Sequence, residues 1–183
     1  MSFKVSFKKK FLCLLVAVAV GVCFTPLVAL AGVDNFTSDL TIATDVDENT
    51  GKRFNADNLT FEVNSGISYN RRGHNAVLFN GAQSGATIII NSGATLSVSK
   101  ADNSIRNNAI NGEDAVNLTV TNSGTIKAPD GAPAIKLNTT SAAQVTNNAG
   151  AAIYAKSDAI NGSSTTTSST ISNSGEIYVT NSG

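Results

Sequence analysis

The sequence predicts an all-β protein: a parallel β-helix (a β-solenoid) of about five coils, preceded by a signal-peptide helix that is cleaved. Three observations predict it. A short phrase, Asn-x-Gly, returns at near-constant intervals. Apolar–polar alternation of period two flanks each copy, the mark of half-buried strands. Beyond residue 31, no stretch carries the 3.6-residue apolar period of an amphipathic helix.

Residues 1–31 read as the signal peptide. "MSFKVSFKKK" is a basic head with Lys4, Lys8, Lys9 and Lys10, and an apolar run interrupted by Gly21 and Pro26 follows. Ala29-Leu30-Ala31 supplies small residues where a signal peptidase reads, so cleavage is expected before Gly32. The run up to Pro26 is short for a membrane span of ~20 residues. Cys23 follows Val22, not the small residue a lipoprotein signal needs.

Removing the signal changes the chemistry on offer. The four lysines leave with it, so 9 Lys and Arg face 13 Asp and Glu, a net charge of −4. That balance offers nucleic acid no basic surface. Both cysteines, Cys13 and Cys23, leave as well, and with them any disulfide or thiolate metal site. A disulfide-free exported domain must rest on backbone pairing and an apolar core.

Residues 32–58 read as a cap or irregular lead-in, and 59–183 as the repeats. Asn64-Ser65-Gly66, Asn91-Ser92-Gly93, Asn122-Ser123-Gly124, Asn148-Ala149-Gly150 and Asn173-Ser174-Gly175 follow at intervals of 27, 31, 26 and 25 residues. Alternating stretches precede ("LTFEV", "VNLTV") and follow ("ATLSV", "EIYV") them, and a third apolar pulse recurs at Ile110, Ile135 and Ile160. Each unit therefore reads as three short strands and three turns. One strand cannot bury its apolar face alone, but units stacked ~4.8 Å apart place like on like and close a shared interior. Asn and Gly suit the corners because both tolerate positive φ, and equivalent Asn residues can form amide ladders along the stack. Ser/Thr-rich disorder is the competing reading of "INGSSTTTSSTIS"; the regular return of β-branched pairs argues against it.

A secretory signal followed by corners such as "VTNSGTI" and "ISNSGEIYV" resembles the passenger region of Gram-negative autotransporters. The resemblance covers about Leu59–Gly183. It implies a right-handed parallel β-helix carried to the cell surface by a C-terminal outer-membrane barrel. Nothing here supplies the alternating barrel strands or aromatic girdles, and seven aromatics remain after the signal. The expectation is therefore an N-terminal piece of such a passenger, truncated at the C-terminus, its partners being the missing barrel or downstream coils. A complete small protein with a frayed end is the alternative.

No residue is expected to be catalytic, to bind a cofactor or to hold a metal. His74, in "NRRGHN", stands alone beside Arg71 and Arg72 and reads as part of a polar loop. "DVDENTG" places Asp45, Asp47, Asn49 and Gly51 at alternate positions, as hard oxygen ligands of calcium could stand. Thr50 and Ala56 occupy the places where an EF-hand needs Gly and Glu, so a solvated turn is expected. The sequons at Asn35, Asn58, Asn117, Asn138 and Asn161 read as accidents of an Asn- and Thr-rich chain. The longest interval contains "SKADNSIRNN", where Lys100, Asp102 and Arg106 are candidates for a contact patch. The expected function is a non-enzymatic, exported, cell-surface stalk or adhesin segment that meets a host or cell-surface ligand through its loops. The alternative is a β-helical polysaccharide lyase or hydrolase, which needs acids from adjacent coils on one face.

Overall fold

In a computed structural model, the residues described are 32–99, 107–137, 141–162 and 169–180, and no helix occurs among them. The expected signal segment, residues 1–31, lies outside the described residues.

The chain winds in rungs of three strands. The first rung holds β1 (Gly32–Phe36), β2 (Leu40–Ile42) and β3 (Val46–Glu48). The second holds β4 (Thr50–Phe54), β5 (Thr60–Val63) and β6 (Ser68–Arg72). The third holds β7 (Val77–Phe79), β8 (Thr87–Ile90) and β9 (Thr95–Ser99). The fourth holds β10 (Ile110–Gly112), β11 (Thr119–Asn122) and β12 (Thr125–Ala128). The fifth holds β13 (Ile135–Leu137), β14 (Gln144–Asn147) and β15 (Ala152–Ala155). The last holds β16 (Ile160–Asn161), β17 (Thr170–Asn173) and β18 (Glu176–Val179).

Every third strand pairs in parallel, which makes three six-stranded sheets: A from β1 to β16, B from β2 to β17 and C from β3 to β18. Gly32 pairs with Thr50, a step of 18 residues, whereas Ile110, Ile135 and Ile160 stack at steps of 25. An abbreviated first rung thus precedes about five full-length coils. Among the described residues strand pairing runs from Gly32 onward, so residues 32–58 are themselves built of rungs.

Period two decides what is inside. In β8, Ile88 and Ile90 are buried while Thr87 and Ile89 face out. Two inward columns per sheet run the length of the stack. In sheet B, Phe61, Ile88, Val120 and Val145 succeed one another; in sheet C, Tyr69, Leu96, Ile126 and Ile153 do. The early rungs are filled by rings: Phe54 lies 4.5 Å from Phe36 and stacks on Phe79 at 4.7 Å. Later rungs are aliphatic, and Ile153 and Ala155 are fully buried.

The register corrects the reading of the repeat in one respect. Asn122 pairs with Ile90 and Asn147, not with Asn91 and Asn148. The Asn-x-Gly phrase therefore occupies two structural positions. After β5, β8 and β14 it opens a four-residue corner in which Gly66, Gly93 and Gly150 have φ of 73°, 72° and 78°. After β11 and β17 the corner is two residues long, and its Asn is the last inward residue of the strand.

Candidate functional site

The short corners explain the asparagines. With two residues in which to turn, a corner leaves backbone groups unpaired, and an Asn side chain satisfies them. Asn122 Oδ1 accepts the N–H of Gly124 at 3.2 Å, and Asn173 Oδ1 accepts that of Gly175 at 3.2 Å. Between them Asn147 lies at the same inward position, and an amide ladder follows. Asn122 Nδ2 donates to Asn147 Oδ1 at 2.8 Å and to the carbonyl of Ala152 at 3.1 Å. One rung on, Asn147 Nδ2 donates to Asn173 Oδ1 at 2.8 Å and to the carbonyl of Glu176 at 3.1 Å. The ladder has a direction, because each amide reaches toward the next rung.

It leads to the last described rung. Ile171 and Val179 continue inward columns whose previous members, Val145 and Ala155, are buried, yet they are 51% and 44% exposed. They and Ile160, Ile177 and Tyr178 line a hollow of about 470 Å³. Outside the same rung, Tyr178 stacks on Tyr154 at 4.9 Å, 12° from parallel. Ladder rings turn their faces along the stack, so the uncovered face of Tyr178 looks toward the position of a following rung. Backbone edge, aliphatic columns and aromatic face all present to that position.

The opposite end is closed by charge, which the sequence reading missed. Asp34, Lys52, Glu48 and Arg71 occupy inward positions of the first two rungs, two residues from Phe36, Phe54, Val46 and Tyr69. That spacing was the available signal: charged residues standing where period two calls for apolar ones. Lys52 Nζ pairs with Asp34 Oδ2 at 2.8 Å and with Glu48 Oε1 at 3.0 Å. Arg71 is fully buried and donates to the carbonyls of Gly32 (3.3 Å) and Arg72. Tyr69 donates its hydroxyl to the Thr50 carbonyl at 2.9 Å. Burial alone would lower the pKa of Lys52, but its two carboxylate partners outweigh that and hold it above the ordinary lysine value. Burial, reinforced by the charge of Glu48, pushes the Tyr69 phenol far above its usual range. Burial also pulls Arg71 below its ordinary value.

The residues singled out in the sequence lie elsewhere. Asp45 Oδ1 accepts the N–H of Ser68 at 2.8 Å, a staple to the next rung repeated by Asp39 on Thr60 and Asp57 on Ser84. Asp47 accepts from Asn70 at 3.0 Å and pairs with Arg72 at 2.9 Å. Asn49 is exposed, Gly51 is buried in β4, and no metal-holding cluster of acids or His occurs among the described residues. His74 is exposed in the turn between β6 and β7. The sequon residues Asn58 and Asn117 have φ of 56° and 54° and stand where Gly85 stands in the rung between them. They are left-handed turn residues. Asn35 and Asn161 lie on the outer face of sheet A. Lys100, Asp102, Arg106 and Asn138 lie outside the described residues. A surface groove of about 330 Å³ on sheet A includes Lys136, Asp158 and Asn161. Lys136 is paired with Glu113 at 2.7 Å, and Asn161 with Asp158 at 3.1 Å.

No family model matches this chain, and no curated protein or solved structure matches it.

Proposed function

We propose that the chain is an exported, non-enzymatic segment of a bacterial cell-surface passenger of the autotransporter kind, a right-handed β-helical stalk with adhesive loops. One observation carries the reading: the inward columns keep register from rung to rung, and the last rung is laid out to receive another. Its partners would be a further Asn-x-Gly coil in parallel register along the axis and a host or cell-surface ligand around the loops. The site of action would be the outer surface, reached through the signal peptide. The use of Asp39, Asp45 and Asp57 as backbone staples favours a structural role over hydrolase chemistry, since a carboxylate engaged with a main-chain N–H is poorly placed for acid–base work.

The test has two arms. A designed coil appended after the last rung, with Asn following Asn173 and aliphatic residues following Ile171, Ile177 and Val179, should raise the thermal midpoint of the processed chain. An unchanged or lower midpoint in a chain that keeps its β circular dichroism removes the open-stack reading. Beads coated with processed chain should be retained on host-cell surfaces above beads coated with an unrelated β-protein; equal retention removes the adhesin reading.

A further inference from the structure

The two ends of the stack fail to complement each other in two of the inward columns. A head-to-tail second copy would have to lay its first rung on the last rung of its neighbour, continuing sheets A, B and C. Column by column, Leu40 would then cover Ile171 and Val46 would cover Ile177, apolar on apolar, but Asp34 would cover Ile160 and Glu48 would cover Val179. Asp34 now keeps 63% of its side chain in water and Glu48 26%; docking would strip that water and set both carboxylates against aliphatic groups. The perimeters differ too, a first rung of 18 residues against later steps of 25. Of the inward apolar residues at this end, Phe36 and Ile42 are already covered to 9% and 7% exposure, and Leu40 and Val46 are partly buried.

We propose that the inward cluster of Asp34, Lys52, Glu48 and Arg71 is a plug that stops the N-terminal end of the solenoid from accepting the C-terminal end of a second copy. The cluster is neutral, so it acts by desolvation cost and not by repulsion. Head-to-tail filaments of this chain through its N-terminal rung then do not form. The proposal rests on the removal of residues 1–31 that the proposed function includes, and otherwise on the chemistry of the two ends; it stands whether or not the chain is an adhesin.

The experiment isolates one end at a time. A processed chain carrying Ile171→Lys and Val179→Lys keeps its N-terminal end and loses its C-terminal one. Labelled and mixed with processed wild type, it can dock only N-terminal end to C-terminal end, and sedimentation velocity reads the complex. With the plug intact, no complex is expected. With Asp34→Val, Lys52→Val, Glu48→Val and Arg71→Leu added, binding should tighten at least tenfold. Binding with the plug intact overturns the proposal, and so does a folded plug-free chain that binds no better. If the fourfold variant does not fold, Asp34→Asn with Lys52→Met, which unplugs sheet A alone, should still tighten binding measurably; no change there overturns the proposal equally.

Discussion

Asn147 is gripped from both sides: its Oδ1 accepts from Asn122 and its Nδ2 donates to Asn173 and to a carbonyl. Replacement by Ala removes the hydrogen bond from buried Asn122 and those to Asn173 and the Glu176 carbonyl, and should cost about 1–3 kcal/mol in urea unfolding. The glycines of the two corner types should respond differently. At Gly66, with φ of 73° and open space around it, Ala should cost about 1 kcal/mol for the left-handed backbone. At Gly124 a Cβ would run into the Ala94 and Asn91 carbonyls of the previous rung, so Gly124→Ala should cost more than Gly66→Ala on the same scale. The plug carries a pH signature. Lys52 and Tyr69 both have folded pKa values raised above 10.5 and 10.0, so each holds its proton more tightly when folded. Their contribution is complete below about pH 10 and is lost as pH rises through the folded values. Thermal midpoints should therefore fall in the alkaline limb, and Lys52→Met and Tyr69→Phe should each flatten that fall.

At the scale of the strand, the alternation predicted from "ATIII" decides a clear asymmetry. Ile88 points into the stack and Ile89 out of it. Ile88→Thr buries a hydroxyl and leaves a void, at a cost of about 2–4 kcal/mol; Ile89→Thr should change stability by less than about 0.5 kcal/mol. Equal losses in urea unfolding would place the strand one residue out of register. Corners were less legible than strands. The phrase Asn-x-Gly marked only the corner between sheets B and C in five of the rungs, and the same three letters serve a four-residue turn at Asn91 and a two-residue turn at Asn122. The difference lies in where the strand stops, and no local preference of Asn or Gly encodes that. The sequons at Asn58 and Asn117 were visible as patterns, while their role as left-handed residues opposite Gly85 emerged only when rungs were laid side by side.

The whole molecule is held nearest neighbour to nearest neighbour: strands of one rung pair with those of the rungs above and below. Stability in such a stack is a sum of rung and interface contributions, so it declines toward an uncovered end. Full burial of an aliphatic side chain is worth roughly 1.5–3 kcal/mol, and Ile171 and Val179, about half open, leave on the order of 1 kcal/mol each unrealised. Amide hydrogen exchange should therefore run fastest in β16, β17 and β18 and slowest in β8 and β11, and uniform protection would contradict a one-dimensional stack. What the sequence by itself determined is the rung: period two sets which residues face inward, glycine and asparagine set where the chain can bend, and repetition at about 25 residues sets parallel stacking. What only the tertiary structure decided is the register between rungs, and with it the direction of the amide ladder and the charged cluster in the first two rungs. The physical reason is that a one-residue choice at each corner is almost neutral locally. It acquires its cost only when the neighbouring rung supplies the carbonyl, the methyl group or the carboxylate it must meet.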